Sequence, residues 1–382
     1  MDVVRWLGFA VGVAIVVATW GSTIRTLVVP RGQSSRFAGF VARRVVRGFF
    51  QWLANRSDDY ETKDRILALS APMSLLAVLI AWLVSFLVGY ALMIWPLADQ
   101  TLASALRQAG SSMLTLGFAA TDAPAVTAID FAAGATGLVV VALQIAYLPT
   151  LYGSFNRREI LVTMLQSRAG APAWGPEILV RTSLVDLWSE TPHFYAEWER
   201  WAADVAETHS TYPVLVWFRS PQPLRSWIVG LLGVLDSAAL FQALNPSKAP
   251  AQSRLVLRMG FTALRDIADV LRIPYDPDPF PDDPIELTYE EFLGGIHRME
   301  EAGLEMERNP EEAWEHFRGW RVNYESIAYA IADRVTAPPG PWSGPRHHLP
   351  GMAFVPQRPV DRRPDHPDHR DEPKAKRFGW RA

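Results

Sequence analysis

Apolar residues gather into three long runs within the first 155 positions, and charged residues crowd the remainder of the chain. The first run, Val3 to Pro30, has Arg5 near one end and Arg25 near the other, with no charge from Leu7 to Ile24. The second, Ala71 to Trp95, and the third, Phe131 to Phe155, each hold 25 residues without a charge. A helix of that length reaches about 37 Å, enough for a hydrocarbon layer of about 30 Å with some tilt. The pattern predicts three transmembrane helices. No small-x-small cleavage site follows the first run, and most nearby basic residues lie after it, so it reads as a retained anchor and not as a signal peptide.

Lysine and arginine set the expected direction. Residues 31–65 carry eight of them, residues 96–130 only Arg107, and Arg157, Arg158 and Arg168 follow the third run. Basic loops stay inside, which places 31–65 and everything after 155 in the cytoplasm, with the N-terminus and 96–130 outside. Residues 36–55 are amphipathic. Arg36, Arg43 and Arg47 share one helical face, and Phe37, Val41, Phe49 and Trp52 supply apolar area. This suits a helix lying on the inner membrane surface, where basic side chains meet anionic lipid.

The stretch between the second and third runs is too long for a turn. Leu97 to Met113 is mildly apolar and predicts a short helix; Thr115-Leu116-Gly117-Phe118-Ala119-Ala120 follows, then Asp122, Pro124 and the third run. Span, short helix, threonine-glycine-aromatic segment and span is the order of a pore loop. Non-helical backbone at membrane depth is tolerated only where protein buries it or water bathes it.

This segment resembles the potassium-channel superfamily, in its bacterial type with two spans and one pore loop per subunit. The family pattern is T-x-G-Y-G-D, and Thr115, Gly117 and the aromatic Phe118 match it. The resemblance covers roughly residues 66 to 155. It implies four loops meeting on one axis in a homotetramer, with main-chain oxygens replacing the hydration shell of a permeant monovalent cation, potassium by analogy. It further implies that the Thr115 hydroxyl and the carbonyls of Thr115, Leu116, Gly117 and Phe118 coordinate the ion. Two positions depart from the pattern: Ala119 stands at the second glycine, where a Cβ resists left-handed backbone, and Ala120 at the aspartate. These departures motivate an alternative, a non-conducting, membrane-anchored oligomer that uses the same fold for interaction or sensing.

As the inner helix of such a unit, the third run offers Gly134, Gly137 and Gln144 as pore-lining candidates and Pro149 as a bend for a gate. No arginine ladder marks the first run as a voltage sensor.

After Asn156 the chain predicts a mostly helical domain. Helices are expected from Thr191 to about Thr208, over 223–243 and 253–272, from the Thr288/Glu291 capping box to about Arg308, and from Asn309-Pro310 to about Arg334. Val214 to Phe218 hints at a strand. Leu224 to Leu244 is interrupted by Arg225 and Asp236 and reads as a buried helix, not a fourth span. Trp188, Trp198, Trp201, Trp217, Trp227, Trp314 and Trp320 are expected in the core. Pro338 to Pro345 reads as a linker, and the tail beyond it as disordered. The expected architecture is thus an all-α membrane protein: an anchor helix (1–30), a basic segment (31–65), a two-span pore-loop unit (66–155) with spans 71–95 and 131–155 and loop 97–124, a helical cytoplasmic domain (156–337) and a tail (338–382).

Composition removes several classes. With no cysteine there are no disulfides, thiolate metal sites or cysteine nucleophiles. A net charge of -3 provides no global basic field for nucleic acid. No G-x-G-x-x-G follows a strand, and no P-loop, H-E-x-x-H or serine elbow is present. The acids from Asp276 to Glu286 are broken by four prolines and lack an EF-hand's glycine and terminal glutamate. No enzyme, metal or cofactor is expected. The expected partners are the lipid bilayer and further copies of the chain.

Overall fold

The computed structural model describes residues 2–29, 35–98 and 100–344. Among them every regular element is helical and no strand occurs. Four helices are long and apolar enough to cross a membrane. Three of them form the N-terminal half: α1 (Asp2–Leu27), α5 (Ser70–Ile94) and α7 (Pro124–Ala169). Between α1 and α5 lie α2 (Arg36–Phe40), a π-helical segment (Val41–Arg47), α3 (Gly48–Ala54) and α4 (Tyr60–Ala68). The short α6 (Leu102–Met113) precedes α7.

Helix α5 divides its faces cleanly. Met73, Leu76, Ile80, Val84 and Val88 point outward, whereas Val78, Trp82, Phe86 and Tyr90 are buried at i,i+4 spacing. Helix α1 is held against α5 by small residues. A Cβ on Gly12 would lie 2.5 Å from the Gly89 carbonyl oxygen, and one on Gly89 would lie 2.8 Å from Val16. Glycine permits this approach of two helices, which packing rather than solvent exclusion must hold together inside a bilayer. The Trp82 indole donates to Ser22 Oγ at 2.9 Å, fixing the register of the pair.

The expected third span is part of a longer object. α7 runs 46 residues without interruption, through Pro149, from the loop into the C-terminal helical domain. At 1.5 Å per residue that is roughly 69 Å, twice a hydrocarbon layer. Its last four turns bury Arg158, Glu159, Val162, Leu165 and Ala169 in the domain core. The boundary expected at 155/156 does not exist as a break in structure.

The domain wraps α10 (Trp227–Leu244), whose every residue is buried. This is the fourth apolar helix, and α8 (Gly175–Leu184), α11 (Ala251–Leu271), α13 (Pro310–Arg321) and α14 (Glu325–Arg334) enclose it. Helices α9 (Thr191–Thr211) and α12 (Tyr289–Glu301) complete the domain. All seven tryptophans singled out above pack in or against this core. A buried polar knot ties it together: the Arg321 guanidinium sits 2.7 Å from Asp236 and 2.8 Å from Glu325, and donates to Tyr329 and to the Trp342 carbonyl, while Tyr324 donates to Asp236 at 2.7 Å.

Four expectations need correction. Val214 to Phe218 is no strand; Pro213–Trp217 forms a 3-10 turn whose residues plug the gap between α9 and the membrane-type helices. The helix begun by the Thr288/Glu291 capping box stops at Glu301, because Gly303 at φ 73° turns the chain and its amide bonds back to Glu300. The helix expected over 310–334 is broken after Arg321, where Tyr324 swings in to reach Asp236 and the Asn323 amide caps the Gly319 carbonyl. Residues 338–344 are no linker. Trp342 is buried, and a Cβ on Gly295 would come within 2.5 Å of its ring. One large aromatic and one carbonyl needed by Arg321 outweigh the loop-like composition. The tail, with its histidines, lies outside the described residues.

The knot generates a prediction. Arg321→Ala leaves Asp236 and Glu325 facing each other without a cation. It should lower the stability of the full-length protein by about 3–5 kcal/mol, measured by denaturant unfolding in detergent.

Candidate functional site

The segment between α6 and α7 meets the backbone requirement in an uneven way. α6 opens on Thr101, whose hydroxyl caps the Ser104 amide at 3.2 Å. It begins five residues later than its apolar pattern suggested and ends at Met113 as expected. The chain then folds back over the last turn of α6. The Thr115 amide donates to the Ser112 carbonyl at 3.1 Å. The Leu116 and Gly117 amides both reach the Ser111 carbonyl, at 2.8 and 3.4 Å. The Ala119 amide reaches Ser111 Oγ at 3.1 Å. Four donors are thereby used inward. The carbonyls of Thr115, Leu116, Gly117 and Phe118 accept no hydrogen bond among the described residues, and all four residues are exposed.

Two residues hold the turn in left-handed backbone, Thr115 at φ 56° and Gly117 at φ 71°. Glycine adopts this freely; a β-branched threonine does so against a strain of about 1–3 kcal/mol. Ala119 is not among the residues in that region, so its Cβ causes no conflict here. The strain expected at position 119 falls instead on Thr115.

Polar side chains absent from the sequence-derived candidates brace the loop from behind. Gln108 donates to Asp130 at 2.8 Å and accepts from Thr121 at 2.9 Å, and Ser112 donates to the second Asp130 oxygen at 2.7 Å. Asp130, nearly two turns into α7, thus pins α6 to the start of α7. The signal was present in the sequence: Gln108, Ser111 and Ser112 lie on one face of the helix at i, i+3, i+4 spacing.

The four inner-helix candidates separate. Gly134 and Gly137 form a seat for α6. A Cβ on Gly137 would overlap the Met113 carbonyl oxygen at 2.0 Å, and one on Gly134 would lie 3.2 Å from that of Ser112. Gly137 is buried there and Gly134 half-buried. Gln144 is buried and borders an internal cavity with Trp82 and Tyr147. Pro149 alone is exposed, and it does not interrupt the helix. It belongs to a stripe the sequence reading did not identify: Phe131, Ala135, Leu138, Ala142, Ile145, Pro149 and Tyr152, all exposed and spaced alternately by four and three. This 3.5-residue repeat has the spacing that helix–helix seams use, within a wider exposed face that includes Ala132, Val139 and Ala146. The stripe runs beside the glycine seat, about a quarter-turn round α7: Gly134 stands three residues after Phe131 and four before Leu138.

No protein-family model, curated protein or solved structure matches the chain.

The glycine seat is testable. Gly137→Val displaces the Met113 carbonyl and with it Ser111, the acceptor for the loop amides. It should lower the melting temperature in detergent by several degrees, whereas Gly153→Val, where only the flexible Arg157 guanidinium comes within 4 Å of a Cβ, should not.

Proposed function

We propose that the chain is a subunit of a pore-loop cation channel, in which α1, α5 and α7 span the membrane and copies assemble around α7 with the 115–118 carbonyls facing a shared axis. The observation carrying this reading is the asymmetry of the loop: its amides are consumed by Ser111 and Ser112, while four consecutive carbonyls remain unbonded. A ring of such oxygens replaces part of a cation's hydration shell. The heptad stripe on α7 supports assembly, because one loop supplies only a fraction of a ring and closed rings are symmetric. Four copies follow from the resemblance of Thr115, Gly117 and Phe118 to the potassium-channel filter, and potassium is the cation expected from it. The excess of arginine and lysine at 31–65 and after 155 orients the helical domain to the cytoplasm.

The continuity of α7 defines how the domain acts on the pore. Arg158 is fully buried, donates to the carbonyls of Leu215 and Phe218, and pairs with Glu159 at 2.8 Å. The Trp201 indole donates to the Arg158 carbonyl. Any rotation of the domain is therefore transmitted to the inner helix directly, without a hinge.

A second reading has its own observation. The Arg107 guanidinium lies 5.6 Å from the Phe118 ring centre, which sets a positive charge beside the loop. A cation held there opposes the approach of permeant cations and favours a non-conducting assembly that serves interaction or sensing.

Reconstituted liposomes decide between them. Potassium efflux is expected from wild-type protein, with loss in Gly117→Val. Thr115→Gly separates stability from conduction: it relieves left-handed strain, so the melting temperature holds or rises, yet it removes a hydroxyl ligand and flux selectivity falls. Absence of cation flux from wild type and from Arg107→Gln alike would remove the channel reading and leave the second. Assembly is read independently: Ile145→Cys in this cysteine-free chain should give disulfide-linked oligomers in membranes, and Met73→Cys, on the outward face of α5, should not.

A further inference from the structure

A cavity of about 340 Å³ lies where the domain meets the ends of α1 and α5 and the middle of α7. Its wall changes character from one side to the other. Arg25, Arg43, Arg47 and Arg334 supply the polar side, while Leu75, Val78 and Trp82 of α5 supply an apolar one. No aspartate or glutamate lines it among the described residues, and none of the four arginines forms an ion pair there. Their existing contacts are weak substitutes for an anion. Arg47 stacks over Trp217 at 3.2 Å from the ring centre, Arg43 donates to the Gly39 carbonyl at 3.2 Å, and Arg334 donates to the Leu271 carbonyl at 2.6 Å. Arg47 is half-buried and Arg25, Arg43 and Arg334 are exposed at the rim, so a phosphate would meet guanidiniums that have no salt bridge to give up.

We infer that this cavity binds an anionic phospholipid of the inner leaflet, its phosphate among Arg25, Arg43, Arg47 and Arg334 and its acyl chains against Leu75, Val78 and Trp82. The inference rests on the membrane-spanning reading of α1, α5 and α7 but not on ion passage. Guanidinium forks suit phosphate oxygens, and the apolar wall suits a hydrocarbon tail rather than a free ion. The surroundings place the mouth at a membrane surface. Phe37, Phe40, Phe49 and Trp52 project outward from the basic helical segment that carries Arg43 and Arg47. Repulsion adds to the case: burial first, then Arg43 and Arg334, pull the Arg47 guanidinium down to about 10. A bound phosphate reverses that balance. The occupant would touch α1, the basic segment, α5, α7 and the end of α14 together, and so brace the domain against the membrane half.

The test uses full-length protein in neutral detergent, titrated calorimetrically with dioctanoyl phosphatidylglycerol, dioctanoyl phosphatidylcholine and inorganic phosphate. Phosphatidylglycerol should bind, phosphatidylcholine far more weakly, and phosphate should not displace the lipid at equal concentration. Arg43→Gln and Arg47→Gln should each weaken the lipid about tenfold, the loss of one charge-assisted contact, while Arg200→Gln, an exposed arginine elsewhere, should not. Phosphate binding as tight as the lipid would overturn the assignment in favour of a soluble anion. Equal binding of both lipids, or wild-type affinity in Arg43→Gln and Arg47→Gln, would overturn it altogether. If Arg47→Gln unfolds, Arg25→Gln and Arg43→Gln, both exposed, decide by the same criterion. Flotation of each variant with liposomes reports membrane insertion separately, so failure of the membrane reading is distinguishable from failure of the site.

Discussion

Ser111 is the point on which the loop depends. A non-helical stretch of backbone between two apolar helices must place every N–H somewhere, and four of those donors go to the end of α6, three of them to Ser111. Because the last-turn carbonyls of a helix have no partners of their own, α6 offers acceptors where the loop needs them. The consequence is one-sided: inward donors are satisfied and outward acceptors are not. Gln108, Ser112 and Asp130 then hold the helix end to α7, and Gly134 and Gly137 allow it to sit there. Remove that seat and the acceptors that hold the loop amides move with it.

α7 links this loop to the rest of the molecule. One face of the helix receives α6, an adjoining face presents an exposed heptad, and the far end is anchored by Arg158 inside the helical domain. Because the helix is unbroken, the loop, the stripe and the domain are joined by one continuous element. The arginine-lined cavity lies at the junction between halves, where charge without counter-charge leaves room for an outside partner. The junction is otherwise closed by Arg219, which pairs with Asp64 of α4 and donates to Tyr60 and to the Thr336 carbonyl. Burial raises the Asp64 carboxyl above its usual range while Arg219 opposes that, a sign that the contact is enclosed.

Much of this was legible in the chain because hydropathy acts locally. A charge-free run of 25 residues has few alternatives to a long helix, and α1 and α5 end within a few residues of their predicted limits. Capping residues were equally explicit: Thr288 with Glu291 and Asn309 with Glu312 start helices where their side chains can reach the third amide. The loop between the spans was visible through Thr115, Gly117 and Phe118. The break after Arg321 was not, because Gly319 and Asn323 beside it are compatible with a continued helix as well as with an end. It exists because Tyr324 finds Asp236, 88 residues away.

The sequence by itself determined the helical class, the apolar spans, the position of the loop and the burial of α10, all of which follow from the order of apolar and polar residues over one or two turns. Tertiary structure alone decided which loop groups are satisfied, that Gly137 seats α6, that Gln144 faces a cavity, that Trp342 is core, and that four distant arginines border one cavity. Those outcomes depend on pairs separated by tens to hundreds of positions. No local propensity encodes them, because each is fixed by what lies across the packing interface.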